Sequence, residues 1–203
     1  MTTGGGDPAW SGRRVTKQAR WRRNAHRSAL VWLTGLSASG KSTIANALEE
    51  ALFERQVSAL VLDGDRVRHG LNSDLGFSPE HRRENLRRVG EVGRLLVDAG
   101  ILTIGAFISP YAEERSRLRH LFCEGEFVEV FLKCPLGVCE KRDPKGLYQR
   151  ARRGLLPEFT GVSAPYEEPR EPELVLATNE LTVPQSVERI IRLLAKKRII
   201  GED

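Results

Sequence analysis

The strongest chemical signal in the 203-residue sequence is a glycine-rich loop that ends in a lysine and a serine. It follows the pattern Gly-x-x-x-x-Gly-Lys-Ser from Gly35 to Ser42. In such a loop, backbone N–H groups converge on phosphate oxygens, the lysine reaches the outer phosphates and the serine hydroxyl ligates Mg²⁺. We therefore expect ATP and Mg²⁺ as cofactors. The predicted nucleotide contacts are Gly35, Ser37, Ala38, Ser39, Gly40, Lys41, Ser42 and Thr43.

The segments on either side of the loop give this pattern its required setting. An apolar run of strand length, residues 29–34, precedes the loop, and apolar residues follow it at helical spacing from Ile44 to Leu52. The pattern binds phosphate when it joins a strand to a helix. This agreement disfavours the alternative of a chance glycine loop.

Two acidic residues supply the next candidate chemistry. Asp63 and Asp65 directly follow a second apolar strand, residues 58–62. Because ligands of open parallel sheets bind at the carboxyl ends of the strands, both side chains are expected to face the phosphate loop. We expect Asp65 to handle the proton of an attacking hydroxyl and Asp63 to help hold Mg²⁺, but the two roles could be exchanged. A solvated turn is the structural alternative.

The class of phosphate-binding protein is narrowed by a motif that the sequence lacks. GTPases need an Asn-Lys-x-Asp stretch to recognise guanine, and the sequence contains none. A small-molecule kinase is therefore the favoured class at this point.

The remaining chain alternates strands with helices. Further strands are predicted at 101–107, 127–132 and 174–176, and helices at 79–99, 112–122, 136–141, 147–153 and 183–197. Alternation of this kind indicates a parallel sheet that is covered by helices on both faces. We predict an α/β protein with the P-loop kinase fold, a five-stranded parallel sheet in a domain of residues 29–203, and a lid segment at about 142–172.

The net charge of +5 is unevenly distributed. Residues 1–28 carry +6, which leaves −1 for the rest of the chain. The basic residues therefore belong to an N-terminal arm, mobile at its glycine-rich start, and nucleic acid is an unfavoured partner. Docking of Trp10 and Trp21 on the body or on a second subunit is favoured over stacking on bases. A transit peptide is a further alternative for this arm.

Two sequence features bear on the location of the protein. No apolar run is long enough to span a membrane, and the three cysteines lack the spacing of a zinc site. Free cysteines are typical of a reducing compartment. We expect a cytoplasmic protein without a membrane partner.

The predicted helix at 79–99 carries polar residues in line with its apolar stripe. Arg82 and Asn85 continue the spacing of Leu86, Val89 and Gly93 towards the start of the helix. They should therefore face inward, where an arginine needs an anion and an asparagine needs a hydrogen-bonding partner. The anion is either a carboxylate of the protein or a bound acceptor.

Seven stretches, in order along the chain, resemble those of adenylylsulfate kinases. They are residues 35–43, 62–65, 70–78, 82–89, 107–111, 142–148 and 158–167. The resemblance implies transfer of the γ-phosphate of ATP to the 3′-hydroxyl of adenosine 5′-phosphosulfate. The products are ADP and 3′-phosphoadenosine 5′-phosphosulfate. The resemblance also implies Mg²⁺, a homodimer and a cytoplasmic place in sulfate assimilation.

The resemblance assigns roles to individual residues. Phe77 and Phe159 would enclose the adenine of the acceptor; without the resemblance, both would be assigned to core or lid packing. The remaining implied acceptor contacts are Arg68, Arg82, Asn85, Ile108, Ser109, Lys145 and Leu147. Arg142 would lie near the base of ATP. The catalytic candidates are Lys41, Asp63, Asp65 and Ser109, and the metal ligands are Ser42 and Asp63.

Ser109 calls for a separate expectation, since members of this family have been described as passing the phosphate through this serine. A serine nucleophile needs an adjacent base. No histidine lies near Ser109 in the sequence, and Pro110 fixes the chain directly after it. We therefore expect Ser109 to position the acceptor.

The sequence departs from the family pattern in two places. Arg66 stands where the family most often has asparagine, and Gln149 and Arg150 replace two usual lysines. Other functions stay open: another P-loop small-molecule kinase, an inactive nucleotide-binding module, or a nucleic-acid-linked ATPase that uses the basic arm.

Overall fold

The strand that precedes the glycine-rich loop lies at the centre of a five-stranded parallel sheet. The computed structural model describes residues 15–201. The strands are β1 Leu30–Thr34, β2 Ala59–Asp63, β3 Leu102–Ala106, β4 Phe127–Lys133 and β5 Leu174–Ala177, in the order β2-β3-β1-β4-β5. All four pairings are parallel, so the carboxyl ends of the strands share one edge of the sheet. This confirms the predicted fold class.

Eight helices within the described residues connect and cover these strands. They are α1 Lys17–Asn24, α2 Lys41–Glu54, α3 Gly64–Arg68, α4 Pro79–Asp98, α5 Ala112–Arg119, α6 Leu136–Arg142, α7 Leu147–Arg152 and α8 Val183–Lys196. The helix α3, directly after β2, is not among the helices predicted from the sequence. The carboxylate of Asp63 explains this helix, since it accepts a hydrogen bond from the backbone N–H of Asp65 and caps the first turn.

The two faces of β1 enter separate hydrophobic cores. Val31 and Leu33 pack in the cluster that includes α2 and α8, whereas Leu30 and Trp32 pack in the cluster that includes α4 and α5. Successive side chains of a strand point to opposite faces of the sheet, so a wholly apolar strand serves both cores. The phosphate loop is therefore anchored to the most deeply buried part of the protein.

The second half of the predicted N-terminal arm is folded onto the domain. The ammonium of Lys17 lies 2.6 Å from the carboxylate of Glu126, and the side-chain amide of Asn24 donates to the carbonyl of Gly100. Trp21 donates to the hydroxyl of Ser28 over 2.7 Å. The predicted division at residue 28 therefore does not coincide with the edge of the folded part. Trp10 and the glycine-rich start lie outside the described residues.

Within residues 15–201, none of the helices combines the length and the apolar character that a membrane crossing needs.

Candidate active site

The glycine-rich loop connects β1 to α2 in a conformation that requires glycine at both ends. Gly35 has a φ of +153°, and a Cβ atom there would lie 2.6 Å from the carbonyl oxygen of Leu132. Gly40 has a φ of +97° and precedes α2 without a side-chain cap. The loop therefore approaches the neighbouring strand closely, and the positive end of the α2 dipole is directed at it. Thr43 is exposed in the first turn of this helix.

Lys41 folds back over the loop. Its ammonium donates to the carbonyl oxygens of Gly35 at 2.9 Å and Leu36 at 2.6 Å. Burial lowers the pKa of Lys41 to about 8. A phosphate group favours the charged form of a neighbouring amine, so nucleotide binding and protonation of Lys41 are coupled.

Three polar groups link the loop to the end of β2. The hydroxyl of Ser42 donates to one carboxylate oxygen of Asp63 over 2.6 Å, and the other oxygen accepts the N–H of Asp65 over 2.9 Å. The structure thus brings these residues together as predicted. Hydroxyl and carboxylate oxygens are ligands that Mg²⁺ prefers in proteins. Residues 15–201 hold no group of three or more His, Cys, Asp or Glu side chains placed to bind a metal ion.

The lid contacts the catalytic candidate Asp65 directly. Lys145, between α6 and α7, forms an ion pair with the carboxylate of Asp65, and both side chains are exposed. Leu147 is half-buried at the first position of α7. The lid therefore bridges the loop after β4 and the acids after β2.

The nucleotide loop is also held from the side of the lid. Arg142 donates to the carbonyl of Thr178 at 2.7 Å and to that of Ala38 at 3.4 Å. The hydroxyl of Thr178 donates to the carbonyl of Ser39, and the hydroxyl of Tyr148 donates to that of Ser37. Burial raises the pKa of Tyr148, which keeps this donor neutral. These contacts place Arg142 beside the nucleotide loop.

Sequence reasoning missed two of these supporting residues. Tyr148 lies in a stretch that carries the family resemblance, and Thr178 directly follows β5. Position at the carboxyl end of a strand was an available signal for Thr178, since such ends form the crevice of a parallel sheet.

Phe77 is presented on the surface beside Arg68. Its ring is 67% exposed, and the guanidinium of Arg68 lies 4.3 Å from the ring centroid. Arg68 also donates to the carbonyls of Leu75 and Gly76, which holds the turn before α4 in place. Core packing therefore does not explain Phe77.

Arg82 joins this turn to the lid. Its side chain donates to the carbonyl of Phe77 at 2.8 Å, the carbonyl of Glu158 at 2.8 Å and the hydroxyl of Thr160 at 3.2 Å. Arg82 forms no ion pair within residues 15–201. The half-buried Phe159 lies between the two lid contacts and packs edge-on against Tyr148, with ring centroids 5.1 Å apart. One arginine thus connects the segments that carry both aromatic candidates.

Asn85 follows Arg82 by one helical turn and is buried, as the apolar spacing predicted. Its side-chain carbonyl accepts a hydrogen bond of 2.9 Å from the amide of Asn72. Asn72 is fully buried and was not singled out from the sequence.

Ser109 adopts an unusual backbone conformation at the end of β3. Its φ is +40°, its side chain is buried, and its hydroxyl donates to that of Thr34 at 2.8 Å. The indole of Trp32 donates to the Ser109 hydroxyl at 3.0 Å, and Thr34 donates to the carbonyl of the half-buried Ile108. No histidine or carboxylate hydrogen-bonds this hydroxyl within the described residues. The hydrogen bonds of the Ser109 hydroxyl therefore hold it in a fixed orientation and offer it no base.

A buried arginine holds the Ser109 segment against the end of the lid. Arg115 donates to the carbonyls of Ser109 and Glu167, each at 2.7 Å, and its Nε lies 2.9 Å from the carboxylate of Glu129. Sequence reasoning missed this residue, because a charged helix on the surface was the natural expectation for residues 112–122.

The departures from the family pattern lie at exposed positions. Arg66 is exposed in α3, and its guanidinium makes no hydrogen bond or ion pair within residues 15–201. Gln149 is exposed in α7, where its backbone N–H donates to Asp143.

The phosphate loop after a central strand, the acids after β2 and the lid between β4 and β5 define a P-loop kinase. The chain belongs to the adenylylsulfate kinase family, because the family model described as adenylylsulphate kinase matches residues 27–177. The enzyme is therefore an ATP-dependent kinase.

Relatives match almost the whole chain. The adenylyl-sulfate kinase of Geotalea uraniireducens is 55% identical over 201 residues, which cover 99% of this chain and 97% of the relative. The adenylyl-sulfate kinase of Staphylococcus epidermidis is 56% identical over 191 residues, which cover 94% of this chain and 96% of the relative.

A solved structure agrees with these relatives. Mycobacterium tuberculosis APS kinase CysC, in complex with AMPPNP and APS, is 47% identical with a TM-score of 0.80, and the match covers 83% of this chain and 98% of that one.

Proposed function

We propose that this kinase transfers the γ-phosphate of ATP to the 3′-hydroxyl of adenosine 5′-phosphosulfate. The observation that carries the proposal is the bridge of Arg82 between the Phe77 turn and the Glu158–Thr160 part of the lid. It gathers two aromatic rings and an arginine into one region, as a negatively charged adenine nucleotide requires. Stacking on an aromatic ring contributes roughly 1–3 kcal/mol per base. The solved relative in complex with AMPPNP and APS supports this acceptor.

The donor half binds the triphosphate of ATP. The N–H groups of the loop and of the first turn of α2 surround the phosphates, and Lys41 turns from the carbonyls that it now contacts to the outer phosphates. Arg142 borders the base. Ser42 and Asp63 would hold Mg²⁺, which neutralises charge on the phosphate oxygens when bound.

The acceptor half positions the ribose hydroxyl and excludes water. Arg68, Arg82 and Asn85 bind the phosphosulfate and ribose, and Phe77 and Phe159 enclose the adenine. Ile108 and Ser109 fix the acceptor from the end of β3. Lys145 and Leu147 bring the lid over the site, so that phosphate passes to the acceptor and not to water.

Asp65 handles the proton in this mechanism. It accepts the proton of the 3′-hydroxyl as the oxygen attacks the γ-phosphate in line, once Lys145 shifts from Asp65 towards the phosphates. Direct transfer needs no covalent enzyme intermediate. The exchanged assignment of Asp63 and Asp65 stays possible on chemistry alone, but Asp63 is already engaged by Ser42 and by the cap of α3.

We further propose that the enzyme works as a cytoplasmic homodimer in sulfate assimilation. The homodimer rests on the family resemblance alone; the solved APS kinase of Thiobacillus denitrificans is hexameric, so a higher oligomer is the alternative outcome of a light-scattering measurement.

The test is turnover by the purified protein with MgATP and adenosine 5′-phosphosulfate. ADP release should depend on the acceptor, and mass spectrometry should find one phosphate added to it. EDTA should abolish turnover, and AMP, which lacks the sulfate, should be a poor acceptor. Acceptor-independent ATP hydrolysis that nucleic acid stimulates would instead favour the ATPase alternative.

A further inference from the structure

The turn between α3 and α4 contains a buried asparagine that no part of the proposed mechanism uses. Asn72 is fully buried, its backbone N–H donates to the carbonyl of Val67, and its carbonyl accepts from Leu75. Arg68 and Phe77, two of the proposed acceptor contacts, flank this turn. Asn72 therefore belongs to the wall of the acceptor half.

The side chain of Asn72 makes one directional contact. Its amide nitrogen donates to the side-chain oxygen of Asn85 at 2.9 Å. A primary amide has an oxygen that accepts and a nitrogen that donates. Because the oxygen of Asn85 is engaged by Asn72, its NH₂ group is the end left for a ligand. This group donates no hydrogen bond within residues 15–201.

The chemistry of the acceptor requires this orientation. Phosphate and sulfate oxygens and ribose oxygens accept hydrogen bonds, and an anion repels a carbonyl oxygen. If the Asn85 amide alone were reversed, its NH₂ would face the NH₂ of Asn72, two donors that cannot bond each other, and its oxygen would point at the acceptor. The oxygen of Asn72 itself is buried without a hydrogen-bond partner in the described part of the chain.

We propose that Asn72 is a positioning residue that fixes the Asn85 amide with its NH₂ group directed at the anionic acceptor. The proposal rests on the proposed function, because it concerns the same acceptor site. Asn72 does not touch the acceptor; it acts only through Asn85. Within residues 15–201, neither side-chain amide hydrogen-bonds to the phosphate loop, so we expect ATP binding to be independent of the Asn72–Asn85 pair.

Two substitutions separate orientation from packing. Asn72→Ala frees the Asn85 amide to rotate, whereas Asn72→Asp, assayed at pH 8.5, replaces the donor by an acceptor and reverses it. Loss of a hydrogen bond to a charged group changes binding by about tenfold or more. Asn72→Asp should therefore raise the KM for adenosine 5′-phosphosulfate at least about tenfold, clearly more than Asn72→Ala. The KM for ATP should stay at the wild-type value in both.

A measurement on the wild-type protein tests the same orientation, and a variant is needed only to assign the NMR signal. In ¹⁵N-labelled protein, the side-chain NH₂ of Asn72 should be protected from solvent exchange in the absence of ligand. The side-chain NH₂ signal of Asn85 can be assigned because it is missing from the spectrum of Asn85→Asp. This NH₂ should become protected only when adenosine 5′-phosphosulfate is added.

The possible outcomes are distinct. Equal effects of the two substitutions, a parallel rise in the KM for ATP, or an Asn85 NH₂ that is protected before ligand addition would each overturn the orientation. No turnover of adenosine 5′-phosphosulfate by the wild-type protein would instead refute the proposed function. The exchange measurement without ligand still reports which amide donates to the other.

Discussion

The donor and acceptor halves of this site are built in different ways. In the proposed mechanism, the donor half comes mainly from one continuous segment, residues 35–43, whose backbone would do most of the binding. The acceptor half is assembled from the turn before α4, α4 itself, the end of β3 and the lid, and it depends on side chains that connect them. A continuous loop serves any nucleoside triphosphate, whereas the assembled half determines which hydroxyl compound is phosphorylated.

The two halves also differ in what holds them together. Glycine geometry and the adjoining strand and helix determine the path of the loop, and the hydroxyls of Thr178 and Tyr148 only support it from one side. In the acceptor half, Arg82 and Arg115 bond to backbone carbonyls of distant segments. Substitutions in the first half should therefore affect catalysis with any acceptor, while substitutions in the second should act on the acceptor alone.

Lys41→Ala should lower turnover by orders of magnitude with any acceptor. Its ammonium contacts only loop carbonyls, so the protein should stay folded while the charge on the outer phosphates is no longer neutralised. Loss of one such electrostatic contact costs about 10²–10³ in turnover. Steady-state kinetics with circular dichroism as the folding control checks this, and near-normal turnover would refute the phosphate-loop assignment.

Asp65→Asn and Ser109→Ala should differ sharply. General base catalysis contributes about 10²–10⁴ in rate, so Asp65→Asn should lose nearly all turnover. Ser109→Ala should keep an appreciable fraction, because its hydroxyl has no adjacent base. Chiral thiophosphate-labelled ATP should report inversion at phosphorus. Net retention, or a phosphoserine at 109 that forms and decays at the rate of turnover, would argue for a covalent intermediate.

Arg82→Ala should act on the acceptor half alone. It breaks the link between the Phe77 turn and the lid, so the Kd for adenosine 5′-phosphosulfate should rise about ten- to hundredfold, as for a lost charged contact. The Kd for AMPPNP, measured by calorimetry, should hardly change. Phe159→Ala should behave similarly. Arg83→Ala is the matched control, since Arg83 is exposed on the same helix and pairs with Glu80. Equal weakening of both ligands would mean that the halves are not separable.

The affinity for ATP should depend on pH, whereas the affinity for the acceptor should not, and this difference should be smaller than the effects of the substitutions above. In the protein without nucleotide, Lys41 loses its proton as the pH rises through about 8, and the triphosphate binds the protonated form. ATP affinity should therefore be constant below pH 8 and fall by up to about tenfold per pH unit above it. Acceptor affinity depends on arginines, which stay charged, and should not change. The dependence should be absent in Lys41→Ala.

The smallest effect on catalysis is expected from shortening the N-terminus, since every proposed site residue lies after residue 28. Removal of residues 1–14 should change little. Removal of 1–28 also deletes Lys17 and leaves the buried carboxylate of Glu126 without its ammonium partner, which should lower the stability by about 1–3 kcal/mol. Turnover per folded molecule should be unchanged in both. Its loss in a folded, truncated protein would show that the N-terminal segment completes the site.

The donor half could be predicted from the sequence more completely than the acceptor half. The phosphate loop, its strand and its helix are local, so periodicity and glycine spacing predict them. The helix α3 was missed because its cap comes from Asp63, a residue assigned only to chemistry. Arg115 and Asn72 were missed because their partners lie up to 52 residues away in the sequence, and no local pattern marks a charge or an amide that is buried by distant segments.

The position of the transferred phosphate tests the central claim most directly. The protein is incubated with ATP labelled in its γ-phosphate and with adenosine 5′-phosphosulfate, and the labelled nucleotide is then treated with a 3′-specific nucleotidase. We predict that the label passes to the acceptor and that the nucleotidase releases all of it. Label that resists the nucleotidase, or that appears only in inorganic phosphate, would contradict a site built to phosphorylate the 3′-hydroxyl.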